Sequence, residues 1–255
     1  RVTISVPWGR GRRTGRASYA ALTSSQSVLL SRVLQDRAIG VPSCIVGGQG
    51  IGKTVVARAL GATLGYGRTR TRVLFCFADM SARDLLQRRS TTPGGDTIWL
   101  DSPVVAAAKN GHLVLLDGVH RLPAGLLAAA IGRLLTDSEC ELPDGTRLLS
   151  TRAWEHKLRA CGGDATHLTR GGLFRCHPAF AVVAIAEPAS TKSGHHRRSW
   201  LADDVLALFH FHPVVPLDDH EHRQMLTRAV TGSAQATIVI DTLLKCAHAL
   251  REAIA

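Results

Sequence analysis

A chain of 255 residues is long enough for one large domain with a buried core and a small second one. Hydrophobic residues make up 45% and charged residues 20%, the balance of an ordinary soluble globular protein. No apolar run reaches membrane-spanning length, the six cysteines form no C-x-x-C pair, and a net charge of +11 favours acidic partners.

The chain starts at Arg1 without an initiator methionine or a signal-peptide pattern, so it reads as an excised piece whose targeting signal would lie outside it. Residues 1–23 form a basic lead-in in which Arg10, Arg12, Arg13 and Arg16 stand among Gly, Ser and Thr. Their charges are read as solvated. From Ser24 to Ala38, Val28, Leu29, Val33 and Leu34 mark a helix that Gly40 and Pro42 end.

Residues 44–54, Cys-Ile-Val-Gly-Gly-Gln-Gly-Ile-Gly-Lys-Thr, organise everything else. Gly47 to Thr54 fit G-x-x-x-x-G-K-[ST] at every fixed position. Ile45 and Val46 end a buried strand, and Lys53 to Leu64 has helical spacing with Val56, Leu60 and Leu64 on one face. Glycines let backbone N–H groups wrap a phosphate, and the helix N-terminus adds partial positive charge. The predicted nucleotide contacts are Gly47, Gly48, Gln49, Gly50, Ile51, Gly52, Lys53, Thr54 and Val55. Lys53 would reach the β- and γ-phosphates, and the Thr54 hydroxyl would hold Mg²⁺.

Val73 to Phe77 reads as a strand, and Ser81 as the cap of a helix over ARDLLQRR, residues 82–89. Thr91 to Ser102 reads as a hairpin around Gly94-Gly95, and Ser102 caps a helix from Pro103 to Asn110 that Gly111 stops. Leu113 to Asp117 is a buried strand ending in the carboxylate expected beside Mg²⁺. A helix over Leu122 to Thr136 and a hairpin turning at Asp144-Gly145 follow. Residues 151–176 lose the regular pattern and read as an irregular insertion; the spacing of Cys161, His167, Cys176 and His177 matches no standard zinc site. Ala179 to Ala186 is a fully buried strand closed by Glu187-Pro188, and Thr191 to Arg198 is a basic surface loop. Trp200 to Leu208 is helical, and Phe209 to Val215 is the last core strand, with His210 and His212 lining one face rather than binding metal. The large domain runs over 24–215. From 216 to 255 two helices, about Asp218 to Val230 and Ala234 to Ala253, form a partial lid, where Asp219, His220, Glu221 and His222 read as a capped, solvated helix start. Cys44 and Cys76 fall in buried strands, which suits a reducing interior.

The order of strands and helices, with a phosphate loop first and a helical lid last, resembles a AAA+ ATPase module. Asp79 to Leu86, Gly95-Asp96-Thr97-Ile98-Trp99, Ser102-Pro103 and Leu115 to Arg121 resemble the dynein-related branch, which includes midasin and the MoxR proteins. The resemblance spans about residues 24–253. It implies an α/β P-loop NTPase fold with a five-stranded parallel sheet between helices, ATP and Mg²⁺ as cofactors, and neighbouring AAA+ modules or subunits in a ring as partners. It also implies a large mitochondrial, matrix-side protein that remodels a client. Nucleic acid, suggested by the charge alone, is not the expected partner.

Three positions depart from the pattern of that branch. Gly118 stands where a glutamate normally follows the magnesium aspartate to activate water. Glu187 stands at the first-sensor position, normally a polar residue such as Asn, and Ala207-Leu208-Phe209 replaces the Asp-Arg-Phe that carries an arginine finger. The catalytic candidates are therefore Lys53, Asp117 and Glu187, with Glu187 as a substitute base or His120 as a water-orienting imidazole the two conceivable rescues; His120 itself reads as a surface residue. The expectation is a site that binds Mg-ATP and hydrolyses it weakly, or holds it for regulation.

Overall fold

The computed structural model describes residues 22–188, 201–229 and 234–254; residues 1–21 of the basic lead-in and the loop from Thr191 to Arg198 lie outside the described residues. The first helix, α1 (Ser24–Ile39), starts with a reciprocal cap. The Thr23 hydroxyl accepts the Gln26 N–H while the Gln26 side chain accepts the Thr23 N–H, and Gly40 ends the helix at a left-handed φ of 80°. Its buried face is Gln26, Leu29, Leu30, Val33 and Asp36, whereas Val28 is 53% exposed.

The chain continues through β1 (Ser43–Val46), α2 (Lys53–Thr63) and β2 (Thr71–Phe75) to α3 (Ala82–Leu85). Ser81 caps α3, but the predicted eight-residue helix stops at Leu85 and the chain turns into β3 (Gln87–Thr91), paired antiparallel with β4 (Thr97–Asp101). The buried Gln87 side chain explains the override: its Nε2 donates to Asp101 and Asp144, bonds a continuing helix would break. Next come α4 (Pro103–Asn110), capped by the Ser102 hydroxyl, and β5 (Leu113–Asp117). The helix expected from Leu122 begins only after a 3₁₀ turn at Val119–Arg121 and a turn at Pro123; it carries a π turn at Ala128–Gly132 and ends as α5 (Arg133–Thr136).

The hairpin β6 (Cys140–Glu141) and β7 (Arg147–Leu149) turns at Asp144-Gly145 as expected. The stretch read as irregular is not: it forms α6 (Thr151–Ala160), α7 (Ala165–Arg170) and β8 (Leu173–Arg175), with β8 parallel to β7. Ser150 and Asp164 cap the two helices, and Trp154, Leu168 and Leu149 form a small satellite cluster. So few apolar anchors leave little periodicity to read. Then follow β9 (Ala181–Ala186), α8 (Asp203–Leu208), β10 (His210–Pro213), α9 (Asp219–Ala229) and α10 (Ala234–Ile254).

Five strands form one sheet in the order β10-β1-β9-β5-β2, and every pairing is parallel. Both faces are covered, which explains the unbroken apolar runs of β5 and β9. Leu113 and Leu115 point to the layer of α1 and α2, and Val114 and Leu116 to the layer of α4 and the 126–136 helix. The C-terminal helical pair is tied to α1: Glu221 accepts the Ser25 N–H at 2.7 Å and its hydroxyl at 2.9 Å. Asp218 caps α9 by accepting the Glu221 N–H, so the helix start is capped as expected, but Glu221 is buried rather than solvated.

Candidate nucleotide site

Parallel order places the ends of β1, β9 and β5 side by side, with Val46 opposite Ala186 and Ile185 opposite Asp117. Ligands of open α/β sheets bind at the carboxyl ends of such strands. The loop leaving β1 is anchored at once, because the Gly47 N–H donates to the Ala186 carbonyl at 3.1 Å. A Cβ at Gly47 would lie 2.1 Å from the Ile51 Cδ1 and displace that side chain. Gly50 and Gly52 take left-handed φ values of 81° and 93°, and Gly52 delivers the chain into α2 with the Gln26 amide packed against it. Among the described residues, no backbone acceptor takes the N–H groups from Gly48 to Gly52, which leaves a run of donors at a helix N-terminus.

Lys53 is buried, and its Nζ donates to the Gly47 and Gly48 carbonyls at 2.6 Å each. Burial lowers its pKa, while the charges of Glu187 and Asp117 favour the ammonium. Thr54 follows, half-buried in the first turn of α2, and Val55 is exposed. Asp117 ends β5 partly buried, its backbone carbonyl accepting the Cys76 N–H. Ammonium, hydroxyl, carboxylate and unpaired N–H groups are the donor set that a magnesium-bound polyphosphate requires.

Beside this set, Gly118 follows Asp117 directly. Gly118 has φ 89° and ψ 37°, a left-handed conformation fixed by its N–H donating to Ile185 and by the 3₁₀ turn it begins. A side chain there is strained, and its Cβ would sit 3.4 Å from the Cys76 carbonyl. Glu187 lies 3.6 Å from Arg121, and its backbone N–H donates to the His120 Nδ1 at 3.2 Å. His120 is thus half-buried rather than a surface residue, and a neutral ring carries its proton on Nε2. Burial, then Arg121 and Lys53, lower its pKa against the pull of Glu187 and Asp117, which favours that neutral form. Leu208 packs on the core, so the stretch Ala207-Leu208-Phe209 offers no arginine.

Two contributors carry only weak sequence signals. Gln26 is legible through the Thr23-to-Gln26 capping box, but its packing against Gly52 is not. Arg121 ends the stretch from Leu115, yet nothing in its spacing announces the contact with Glu187.

Comparison with known proteins agrees with this layout. Residues 42–209 match the AAA domain of the dynein-related subfamily. The chain is 38% identical over 253 residues to von Willebrand factor A domain-containing protein 8 of Mus musculus, covering 98% of this chain but 13% of that protein. A crystal structure of a candidate ATPase from Cytophaga hutchinsonii superposes with a TM-score of 0.54 over 86% of this chain and 55% of that one, at 14% identity, a likeness of fold alone.

Proposed function

The chain belongs to the dynein-related subfamily of AAA domains, and from that premise we propose that it is an ATP-binding module in which Mg-ATP occupies the loop from Gly47 to Val55 and is hydrolysed slowly. Lys53 carries the reading: a buried ammonium at a run of unpaired N–H groups, within electrostatic reach of Asp117 and Glu187. Lys53 would bind the β- and γ-phosphates, and Thr54 and Asp117 would hold Mg²⁺. The bound ion would neutralise the charge that develops on the transferring phosphate. No carboxylate follows Asp117 to orient water, and Arg121 draws on the Glu187 carboxylate that would have to replace it. Catalysis of phosphoryl transfer rests on positioning and electrostatics, so these losses weigh on turnover more than on binding.

At the scale of the intact protein, the module works beside other AAA+ modules in a ring and couples nucleotide occupancy to remodelling of a client, with α9 and α10 as part of its lid. A mitochondrial, matrix-side setting accompanies this reading. The left-handed Gly118 favours a second reading, a regulatory holder that keeps ATP while neighbouring modules hydrolyse it. Binding of ATP by the intact chain and by Lys53→Ala tests the common premise. Losing a charge-assisted contact of about 2 kcal/mol should weaken affinity by roughly 30-fold. Equal affinity in the two proteins would overturn it.

A further inference from the structure

At the far end of α1 from Gln26 and the loop glycines, a compact set of metal-binding side chains is assembled from α1 and β10. Asp36, in the last turns of α1, is buried with its side chain 6% exposed. His210 and His212 alternate along β10 and so share a face. The His210 Nδ1 lies 2.8 Å from the Asp36 Oδ1, and the His212 Nε2 lies 2.5 Å from its Oδ2. One nitrogen from each ring and a carboxylate oxygen all lie within 4.8 Å of one another. The Ser43 hydroxyl donates to the Asp36 Oδ2 at 2.8 Å and fixes the carboxylate from β1.

We propose that Asp36, His210 and His212 form a site for a zinc-class divalent transition metal, with Ser43 as the outer partner that orients the carboxylate. Two imidazoles and one carboxylate are a ligand set of three-protein-ligand zinc sites that leave a fourth position for water. Tetrahedral ligands at about 2.0–2.1 Å from zinc stand about 3.3 Å apart. The contacts of 2.8 and 2.5 Å run to the two different Asp36 oxygens, so enclosing one ion takes rotation of the carboxylate and the rings towards that spacing. A second-shell hydrogen bond to a ligating carboxylate is supplied by Ser43, and the His210 side chain, 59% exposed, gives the ion a path in. On metallation, any proton on the ring nitrogens that face Asp36 leaves to solvent, so uptake is accompanied by acid release.

The position gives the ion a structural task. His210 pairs with Ser43 at the start of β1, and β10 runs on to Val214, whose N–H donates to the Val46 carbonyl just before the phosphate loop. A metal here fastens α1, which also carries Ser25 and Gln26, to the strand that leads out to α9.

The test is zinc titration of the intact chain by calorimetry with excess Mg²⁺ present to occupy oxygen-ligand sites, together with visible absorption of the Co²⁺ form. The expected result is one equivalent of zinc and an intense tetrahedral cobalt band. His210→Ala, at an exposed position, should keep its circular dichroism and weaken zinc by more than the roughly 10–100-fold typical of an outer-shell loss, with Ser43→Ala inside that range. Asp36→Asn should abolish the cobalt band. Unchanged zinc affinity in His210→Ala, no saturable zinc uptake by the unaltered chain, or uptake lost instead in His222→Ala would each overturn the proposal and leave a hydrogen-bonded clamp.

Discussion

Two features coincide at Gly118: no carboxylate follows Asp117, and the backbone there is left-handed, with φ 89°. Only the first is written in the residue letter. The second comes from the bond to Ile185 and the 3₁₀ turn that follows. Gly118→Ala should therefore cost about 1–2 kcal/mol, a Tm lower by a few degrees in thermal unfolding. For the same reason, Gly118→Glu is expected not to restore phosphate release, because a side chain built on that backbone starts strained. Release that rises in Gly118→Glu would show that the backbone adapts and that the side chain alone was missing. Lys53 divides in the same way. Its identity follows from the loop motif, whose chemistry needs an ammonium at the helix start, while its burial and its bonds to the Gly47 and Gly48 carbonyls are seen only in the fold.

Elements were legible where periodicity or caps carried them and obscure where a single polar side chain decided. α2, α4, β5 and β9 follow from apolar spacing, glycine stops and the Ser102 cap. The early end of α3 does not, because its cause is a buried amide bridging β4 and the Asp144 turn. Gln87→Ala should leave those partners short of bonds and cost about 2 kcal/mol, read as a lower urea midpoint with unchanged m. The helices of 151–176 leave little trace in the residue pattern because polar residues surround their few apolar anchors.

The junction of α1 with α9 makes a pH-dependent claim at the same scale. Burial alone would raise the Glu221 pKa, but bonds from the Ser25 N–H and hydroxyl, Thr23 and the start of α9 hold it below its ordinary value. A carboxylate depressed on folding adds stability that is complete above its unfolded pKa and fades as pH falls through the folded value. Melting the unaltered chain and Glu221→Gln across pH should show an advantage for glutamate at neutral pH that vanishes in acid. A pH-independent difference would mean that the carboxylate charge is not what holds the junction.

At the scale of the molecule, a parallel sheet in the order β10-β1-β9-β5-β2 brings the phosphate loop, Asp117 and Glu187 to one edge from distant parts of the chain. The strand count and the loop were readable because a doubly covered sheet imposes long apolar runs and the loop imposes glycines. The association of Asp36 with His210 and His212 was not, since it joins residues 174 and 176 positions apart. The function proposed for the whole module is that of a site that binds ATP and hydrolyses it poorly. Its most direct test is ATP binding and phosphate release measured on one preparation of the intact chain, alongside Lys53→Ala. The account predicts Lys53-dependent binding with phosphate release at or near background. Rapid release that disappears in Lys53→Ala would contradict it, and would make Glu187 or His120 the group that activates water.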